Sequence, residues 1–353
     1  MDVIWSENVS LSIEFKDTRH NVILSDVNAT FEIVGGAKGE LQPVVISGNT
    51  YYRLNVNTSH PDALNLPEGT YTLKIYLSKR NYQQQVIEIT LNVQPKSADL
   101  VVLPSEVNVY WSNTFVVAAK YYSGSSIFSN AIINASWDNG YTYLPYIFNG
   151  THYLLNITTD LFDVSTHTLT IKAKIQNYTY KEISITVHIL PIPTSANAIS
   201  GYSYIVDYES QVEITVELMD TNHSTPVDGA TLYINWTNPF KTEIGNGRYS
   251  ILITADNAPA TYTLNVTLSK KNYASTTVFL TLKILSPIEI HVVTEAENTI
   301  TAYWNRNYTI AVYVTDLYYG INVTGLDIYV SSTFLPQGSK LTWNGSYYVI
   351  ELN

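Results

Sequence analysis

Three stretches of the chain are one pattern written three times. Residues 71–93 read YTLKIYLSKRNYQQQVIEITLNV, residues 167–189 read HTLTIKAKIQNYTYKEISITVHI, and residues 262–284 read YTLNVTLSKKNYASTTVFLTLKI. They align without a gap, at intervals of 96 and 95 residues. In the first copy Leu73, Ile75 and Leu77 alternate with Thr72, Lys74 and Tyr76, and Ile87, Ile89, Leu91 and Val93 alternate with Glu88, Thr90 and Asn92. Alternation with period two places one set of side chains in a core and the other in water, so each copy reads as two strands. Asn81 and Tyr82 lie between them, and Asn tolerates the left-handed backbone that a reversal requires.

Other runs precede each hairpin in fixed order. Leu11, Ile13 and Phe15 match Phe115, Val117 and Ala119, then Val212, Ile214 and Val216, then Ile310, Val312 and Val314. Ala29, Phe31 and Ile33 match Ile133, Ala135 and Trp137, and Leu232, Ile234 and Trp236, with both Trp on the inward phase. After an Asn-Gly-like turn come GNTYYRLNV (48–56), NGTHYLLNI (149–157), GNGRYSILI (245–253) and NGSYYVIEL (344–352). No stretch has helical periodicity. Short strands between turn signals over a 95-residue repeat predict an all-β chain of tandem sandwiches.

The expected domains are 1–95, 96–192, 193–287 and 288–353. Their boundaries, QPKSA (94–98), LPIPTS (190–195) and LSPI (285–288), all hold proline, which fixes φ and stiffens a junction. A semi-rigid, rod-like array follows. Unit two opens with DLVVLPSEVNVYW (99–111), which unit one lacks, and unit four has no copy of the closing hairpin. The first domain is therefore expected to want its first strand and the last its closing hairpin. Three readings explain this: a longer repetitive chain, strand exchange with a neighbouring molecule, or disorder or loss of the flanking sequence.

Composition narrows the function. A net charge of −11 and few charged residues (14 %) argue against nucleic acid, which needs a basic surface. The absence of cysteine removes disulfides, thiol catalysis and Cys-ligated zinc. No apolar run is long enough to span a bilayer.

The segment PEGTYTL (67–73) resembles the tyrosine corner of immunoglobulin-like domains, in which a Tyr precedes an inward residue by two. Here the inward residue is Leu73, where antibody domains carry cysteine. PATYTL (259–264) matches through Tyr262 and Leu264, whereas unit two has His167 in place of Tyr, which puts its corner bond in doubt. The chain is similar to tandem immunoglobulin-like domains of prokaryotic, especially archaeal, surface proteins: the stalks of adhesins and S-layer-type proteins. The resemblance implies an all-β array of immunoglobulin-like β-sandwich domains outside the cell, and leaves the function open.

The strongest local signal is N-x-[ST] without proline, the acceptor for N-glycans. It occurs at Asn8, Asn28, Asn57, Asn134, Asn149, Asn156, Asn177, Asn222, Asn235, Asn265, Asn307, Asn322 and Asn344. Chance predicts about six such triplets from 31 Asn, and thirteen occur. Asn235 and Asn265 fall on the outward phase of their strands, and Asn177 is a turn residue. Tyr51, Tyr76, Tyr233 and the doublets Tyr121-Tyr122 and Tyr318-Tyr319 are candidate stacking surfaces; the plainer expectation is cross-strand packing.

The acidic loops Asp220-Thr-Asn222 with Asp228, and Asp160 with Asp163, lack the spaced carboxylates of a calcium loop, so no metal is expected. His60, His152 and His167 sit among ordinary strand and loop residues. No nucleophile elbow, phosphate loop or metal-binding His pair is present, so neither a catalytic residue nor a cofactor is expected. The sequence thus reads as a glycosylated extracellular stalk contributing to a cell-surface layer or filament, self-associating laterally or end to end. The alternatives are an adhesin binding a protein or glycan, and the non-catalytic spacer of a larger surface enzyme.

Overall fold

A computed structural model of the chain describes all residues except 60–64, 139, 141, 144–146, 294–300, 302, 304, 332, 334 and 353. The fold is all-β, a tandem series of immunoglobulin-like sandwiches. The chain divides into two compact units, Met1–Leu190 and Pro191–Asn353.

The second sandwich displays the plan. One sheet runs Asp99–Leu103, Thr114–Ser123, Tyr153–Thr158, Ile147–Phe148; the other runs Glu106–Tyr110, Lys181–Leu190, Thr166–Lys174, Ile132–Trp137, Thr142–Tyr143. Four parts of this plan recur. The leading strand is Asp99–Leu103, the inner strand Thr114–Ser123, the tyrosine strand Tyr153–Thr158, and the closing hairpin Thr166–Lys174 with Lys181–Leu190. Their inward residues, among them Val117, Ala119, Ile133, Ile157, Leu169, Ile171 and Val187, are fully buried in one core. A core of this kind, not backbone pairing alone, makes a short-stranded sheet stable.

The third sandwich repeats the order with Thr194–Ala198, Gln211–Asp220, Arg248–Thr254 and the hairpin Thr261–Ser269/Thr276–Leu285. In the first, the inner strand Asn8–Ile13 pairs with Asn49–Asn57, and the hairpin Gly69–Ser78/Gln85–Gln94 pairs in parallel with Asp2–Ile4. No leading strand lies against Asn8–Ile13 among the described residues. The fourth has a leading strand, Ile288–Val293, an inner strand, Tyr308–Asp316, and a tyrosine strand, Tyr348–Leu352. Val312, Leu341 and Tyr348 form its buried cluster, and Val314 is buried beside them on the inner strand.

The ladders correct one alignment. Ile13 pairs with Tyr52, Ala119 with Tyr153, Val216 with Tyr249 and Val312 with Tyr348. Ile13 is therefore equivalent to Ala119 and Val216, not to Val117 and Ile214. The inner strands of the first and fourth sandwiches sit two residues away from the match that their hydrophobic pattern suggests. A shift of two preserves which face is buried, so alternation cannot choose between the two registers.

The tyrosine shared by the four tyrosine strands is not marked by hydrophobic alternation alone. Tyr52, Tyr153, Tyr249 and Tyr348 are all buried, and their hydroxyls accept the backbone N–H of Val27, Ala131, Ala230 and Leu326 at 2.7, 2.9, 2.9 and 2.9 Å. Tyr153, Tyr249 and Tyr348 also donate to the carbonyls of Phe128, Val227 and Val323. Each tie satisfies buried backbone groups of the loop leaving the inner strand. The signal was present: Tyr is the fifth residue in all four aligned runs.

Candidate functional site: the turn clasps and the sequon asparagines

The Asn-Tyr turn of the closing hairpin has one geometry throughout. Asn81, Asn177 and Asn272 have φ of 68°, 70° and 68°, and each following Tyr donates its N–H three residues back, to Lys79, Ile175 and Lys270. In the second and third sandwiches this turn holds the incoming linker. Lys96 N–H donates to the Asn177 carbonyl and the Lys96 carbonyl accepts from Thr179, both at 2.9 Å. Ile192 does the same between Asn272 and Ala274, at 3.0 and 2.8 Å.

The first junction has further ties. The Asn177 side-chain oxygen accepts the Glu68 N–H at 3.0 Å, and Trp5 meets Tyr178 edge-on with centroids 5.5 Å apart. A second turn closes on the linker from the end of the inner strand. Ser123 Oγ donates to the Ser97 carbonyl, Thr221 N–H to Pro193 and Leu317 N–H to Pro287. The turns that a sequence reader would take for ligand loops clasp the chain's own linker. Asn81-Tyr82 in the first sandwich has the same shape with no linker on it among the described residues, and Tyr82 is 41 % exposed beside Phe15.

The acidic loop at Asp220 is part of this second turn. Asp220 Oδ1 accepts the N–H groups of Asn222 and His223, and its Oδ2 lies 2.8 Å from His223 Nδ1. Asp17 repeats the arrangement with Arg19 and His20, and Asp316 with Tyr318 and Tyr319. Burial pushes the Asp220 carboxyl up, but the His223 side chain and the backbone donors outweigh it and hold the group below its ordinary value. His20 likewise lowers Asp17. Asp228 accepts from Gly247 N–H, and Asp160 from the Thr158 hydroxyl. These oxygens cap turns and are committed to protein donors.

The tyrosine corners are made: Tyr71 donates to the Pro67 carbonyl at 3.0 Å and Tyr262 to Ala258 at 2.7 Å. The doubt over unit two is resolved by substitution. His167 Nε2 lies 3.0 Å from the Asp163 carbonyl, also four residues back, so the imidazole takes the phenol's place. His152 lies against Thr151, and His60 lies outside the described residues. Trp137 is core, at 3 % exposure, whereas Trp236 is only half-buried and donates Nε1–H to the Thr254 carbonyl.

Most of the candidate tyrosines are engaged. Tyr121 is fully buried, its hydroxyl donating to Thr179, and Tyr122 lies under Lys120. Tyr318 packs on Tyr208 with centroids 4.9 Å apart and Tyr319 donates to the Pro259 carbonyl, so this doublet joins the fourth sandwich to the third. Tyr76 donates to Glu32, Tyr51 is half-buried, and Tyr233 is 63 % exposed.

The thirteen sequon asparagines divide by geometry. Asn8, Asn28, Asn149, Asn156, Asn222, Asn235, Asn307, Asn322 and Asn344 are exposed; Asn57, Asn134, Asn177 and Asn265 are half-buried. At Asn57 and Asn149 the side-chain oxygen accepts both the N–H and the hydroxyl of the Ser or Thr two residues on. At Asn344 it accepts the N–H groups of Ser346 and Tyr347. Such turns hold the oxygen inward and leave the amide nitrogen as the outer atom. Asn235 and Asn265 keep the outward phase of their strands, but their side chains are engaged there. Asn235 substitutes for the ladder where its strand stops, accepting from Asn265 N–H and donating to the Thr263 carbonyl, while the Asn265 and Asn134 side-chain oxygens are buried.

No protein-family model matches the sequence, and no curated protein matches it. Among solved structures, a three-domain fragment of titin in an E-to-A mutated variant is similar at 12 % identity, covering 81 % of this chain and 95 % of its own, with a TM-score of 0.31. The human desmocollin-1 ectodomain is similar at 10 % identity over 91 % of this chain and 78 % of its own, TM-score 0.31. The protocadherin GammaB4 extracellular domain is similar at 11 % over 90 % and 62 %, TM-score 0.26. These are likenesses of tandem domain architecture.

Proposed function

We propose that the chain is a structural extracellular protein, a glycosylated stalk of tandem sandwiches that self-associates into a cell-surface layer or filament. The observation that carries this reading is the clasp. The linker residue Lys96 at the head of the second sandwich is held between two turns, a construction that favours fixed spacing of the first two sandwiches over a binding cleft. Most of the candidate recognition tyrosines and the carboxylates Asp220, Asp228 and Asp160 are engaged in caps, turns and junctions. Exposed sequons, above all Asn149 and Asn344, would carry N-glycans and keep a surface poor in charge soluble. The named extracellular domains among the structural likenesses agree with a place outside the cell.

Two measurements test this on protein purified from its source. Glycopeptide mass spectrometry should find sugar at Asn149 and Asn344 and none at Asn134 or Asn265. Electron microscopy should show ordered assemblies; a monodisperse monomer at high concentration, without glycans, would overturn the proposal.

A further inference from the structure

The outward face of one sheet in the second sandwich is apolar, and a sequon stands on it. Leu103 pairs with Ala118, Ala118 with Leu154 and Leu154 with Ile147, so one row of side chains crosses four strands on the side away from the core. Leu103 is 56 % exposed and Ile147 71 %, and on the next row Val116 is 50 % exposed. Val116 pairs directly with Asn156, the acceptor of the sequon Asn156-Ile-Thr158. Asn156 is exposed on this same face, two residues beyond Leu154. A contiguous apolar patch on a protein surface calls for something to cover it.

The same positions differ in the other sandwiches. Through the paired tyrosines, Val116 and Leu154 correspond to Ser10 and Arg53 in the first and to Glu213 and Ser250 in the third. The Asn156 position holds Asn55, followed two residues on by Asn57 and so no sequon, and Leu252. There the polar side chains serve one another: Ser10 donates to Asn55 at 2.9 Å and Ser250 to Glu213 at 2.8 Å. The fourth keeps Val293 and Val349 in the row, with Thr309 and Glu351 at the places of Val116 and Asn156. At this pair of positions the second sandwich alone sets an aliphatic side chain against a sequon asparagine.

We propose that an N-glycan on Asn156 lies along this face and covers it. Asn156 is about 5 Å across the ladder from Val116 and about 7 Å along the strand from Leu154, so the first sugars of a glycan reach both. A pyranose ring presents C–H groups on its faces and hydroxyls at its rim. The ring faces pack on Val116, Ala118 and Leu154, and the rim stays in water. The sugar thereby takes apolar surface out of water and leaves a wet surface in its place. A second copy of the chain is the rival occupant of an apolar sheet face, and a glycan anchored at Asn156 would hold it off.

The cover rests on the glycosylation proposed above, and the test separates the two. Glycopeptide mass spectrometry of the full chain from its source should find sugar at Asn156. Variants made in the same host are then compared by the fluorescence of anilinonaphthalene sulfonate, a dye that lights up on exposed apolar surface, with circular dichroism confirming each fold. Asn156→Gln should raise the fluorescence several-fold. Ser346→Ala removes the sequon at Asn344, keeps the backbone donors of its turn and should leave the fluorescence at the wild-type level. Adding Val116→Ser and Leu154→Ser to Asn156→Gln should return the signal to that level. A bare Asn156 beside occupied Asn149 and Asn344 overturns the cover and leaves the glycosylated stalk standing, as does an Asn156→Gln protein no brighter than Ser346→Ala. Self-association of the glycosylated wild type that Ile147→Lys abolishes gives the face to a second copy and also overturns the cover. A chain without sugar at any sequon overturns both.

Discussion

The first and second sandwiches share a unit and a buried tyrosine tie, yet among the described residues only the second has a leading strand. With its leading strand in place, the second buries Val117 and Ala119 completely; without one, the first leaves Leu11 and Ile13 half-exposed. Tyr52 and Tyr153 are nevertheless equally buried, at 2 % and 1 %. The tyrosine, the corner and the closing hairpin thus build the sandwich, and the leading strand seals it. Because that strand continues from the clasped linker, sealing the core and fixing the junction are one structural event.

The largest expected effect tests the seal. Ile214→Ala, at a filled slot, should cost the third sandwich about 2–5 kcal/mol. Leu11→Ala, its equivalent beside the open edge, should cost the first less than half of that, because much of the side chain already meets water. Native-state amide exchange resolves the sandwiches separately, which a single denaturation curve of several domains does not. Equal losses at the two sites would show that the open edge does not weaken the core. Next in size is the tie. Tyr153→Phe removes the hydroxyl that bridges Ala131 N–H and the Phe128 carbonyl, a loss of about 1–3 kcal/mol. The same change at Tyr249, in the other unit, should cost as much, and a tie that depends on its neighbours would break that equality.

Much of this plan was legible from residue order, and the gaps have physical causes. The closing hairpin was readable because alternation and a left-handed Asn are both local, and Asn81, Asn177 and Asn272 adopt the conformation expected of them. The register of the inner strands was not, since a two-residue slip leaves every side chain on its proper face. Only the recurrent Tyr could have anchored it. The role of Asn177 depends on Glu68, more than a hundred residues earlier, and no local pattern reports such a bond. Asn235 followed its outward phase but stands where the strand ends, and there the side chain replaces a missing ladder bond.

Asn177 and Asn81 sharpen the comparison at smaller scale. Both need the left-handed conformation, so Asn→Ala should strain each turn by roughly 1–2 kcal/mol. Only Asn177→Ala also leaves the Glu68 N–H without its acceptor, which should add about 1 kcal/mol at the junction. Asn177→Gly relieves the strain and keeps the junction loss, so exchange at the Glu68 amide isolates the second effect. If Glu68 stays as protected as in the wild type, the side-chain bond does not hold the junction.

The smallest effect is set by pH. The Asp220 carboxyl, buried but held by His223 and two backbone N–H groups, ionises below its ordinary value. A carboxyl lowered by folding contributes stability that is complete above the unfolded value of about 3.9 and is lost as pH falls through the folded value beneath it. Asp17 is lowered in the same sense at the same turn of the first sandwich. The second sandwich has Ser123 there and no carboxylate. Lowering the pH through this window should therefore loosen the turns at Asp17 and Asp220 and spare the one at Ser123, read as amide exchange at His20, His223 and Ser125. Asp220→Asn keeps an acceptor for the two N–H groups, so it should remove the acid response of the third sandwich without opening the turn at neutral pH. A turn at Ser123 that loosens in parallel would mean that acid acts through the sandwiches as a whole, and the capping carboxylates would lose their claim to the effect.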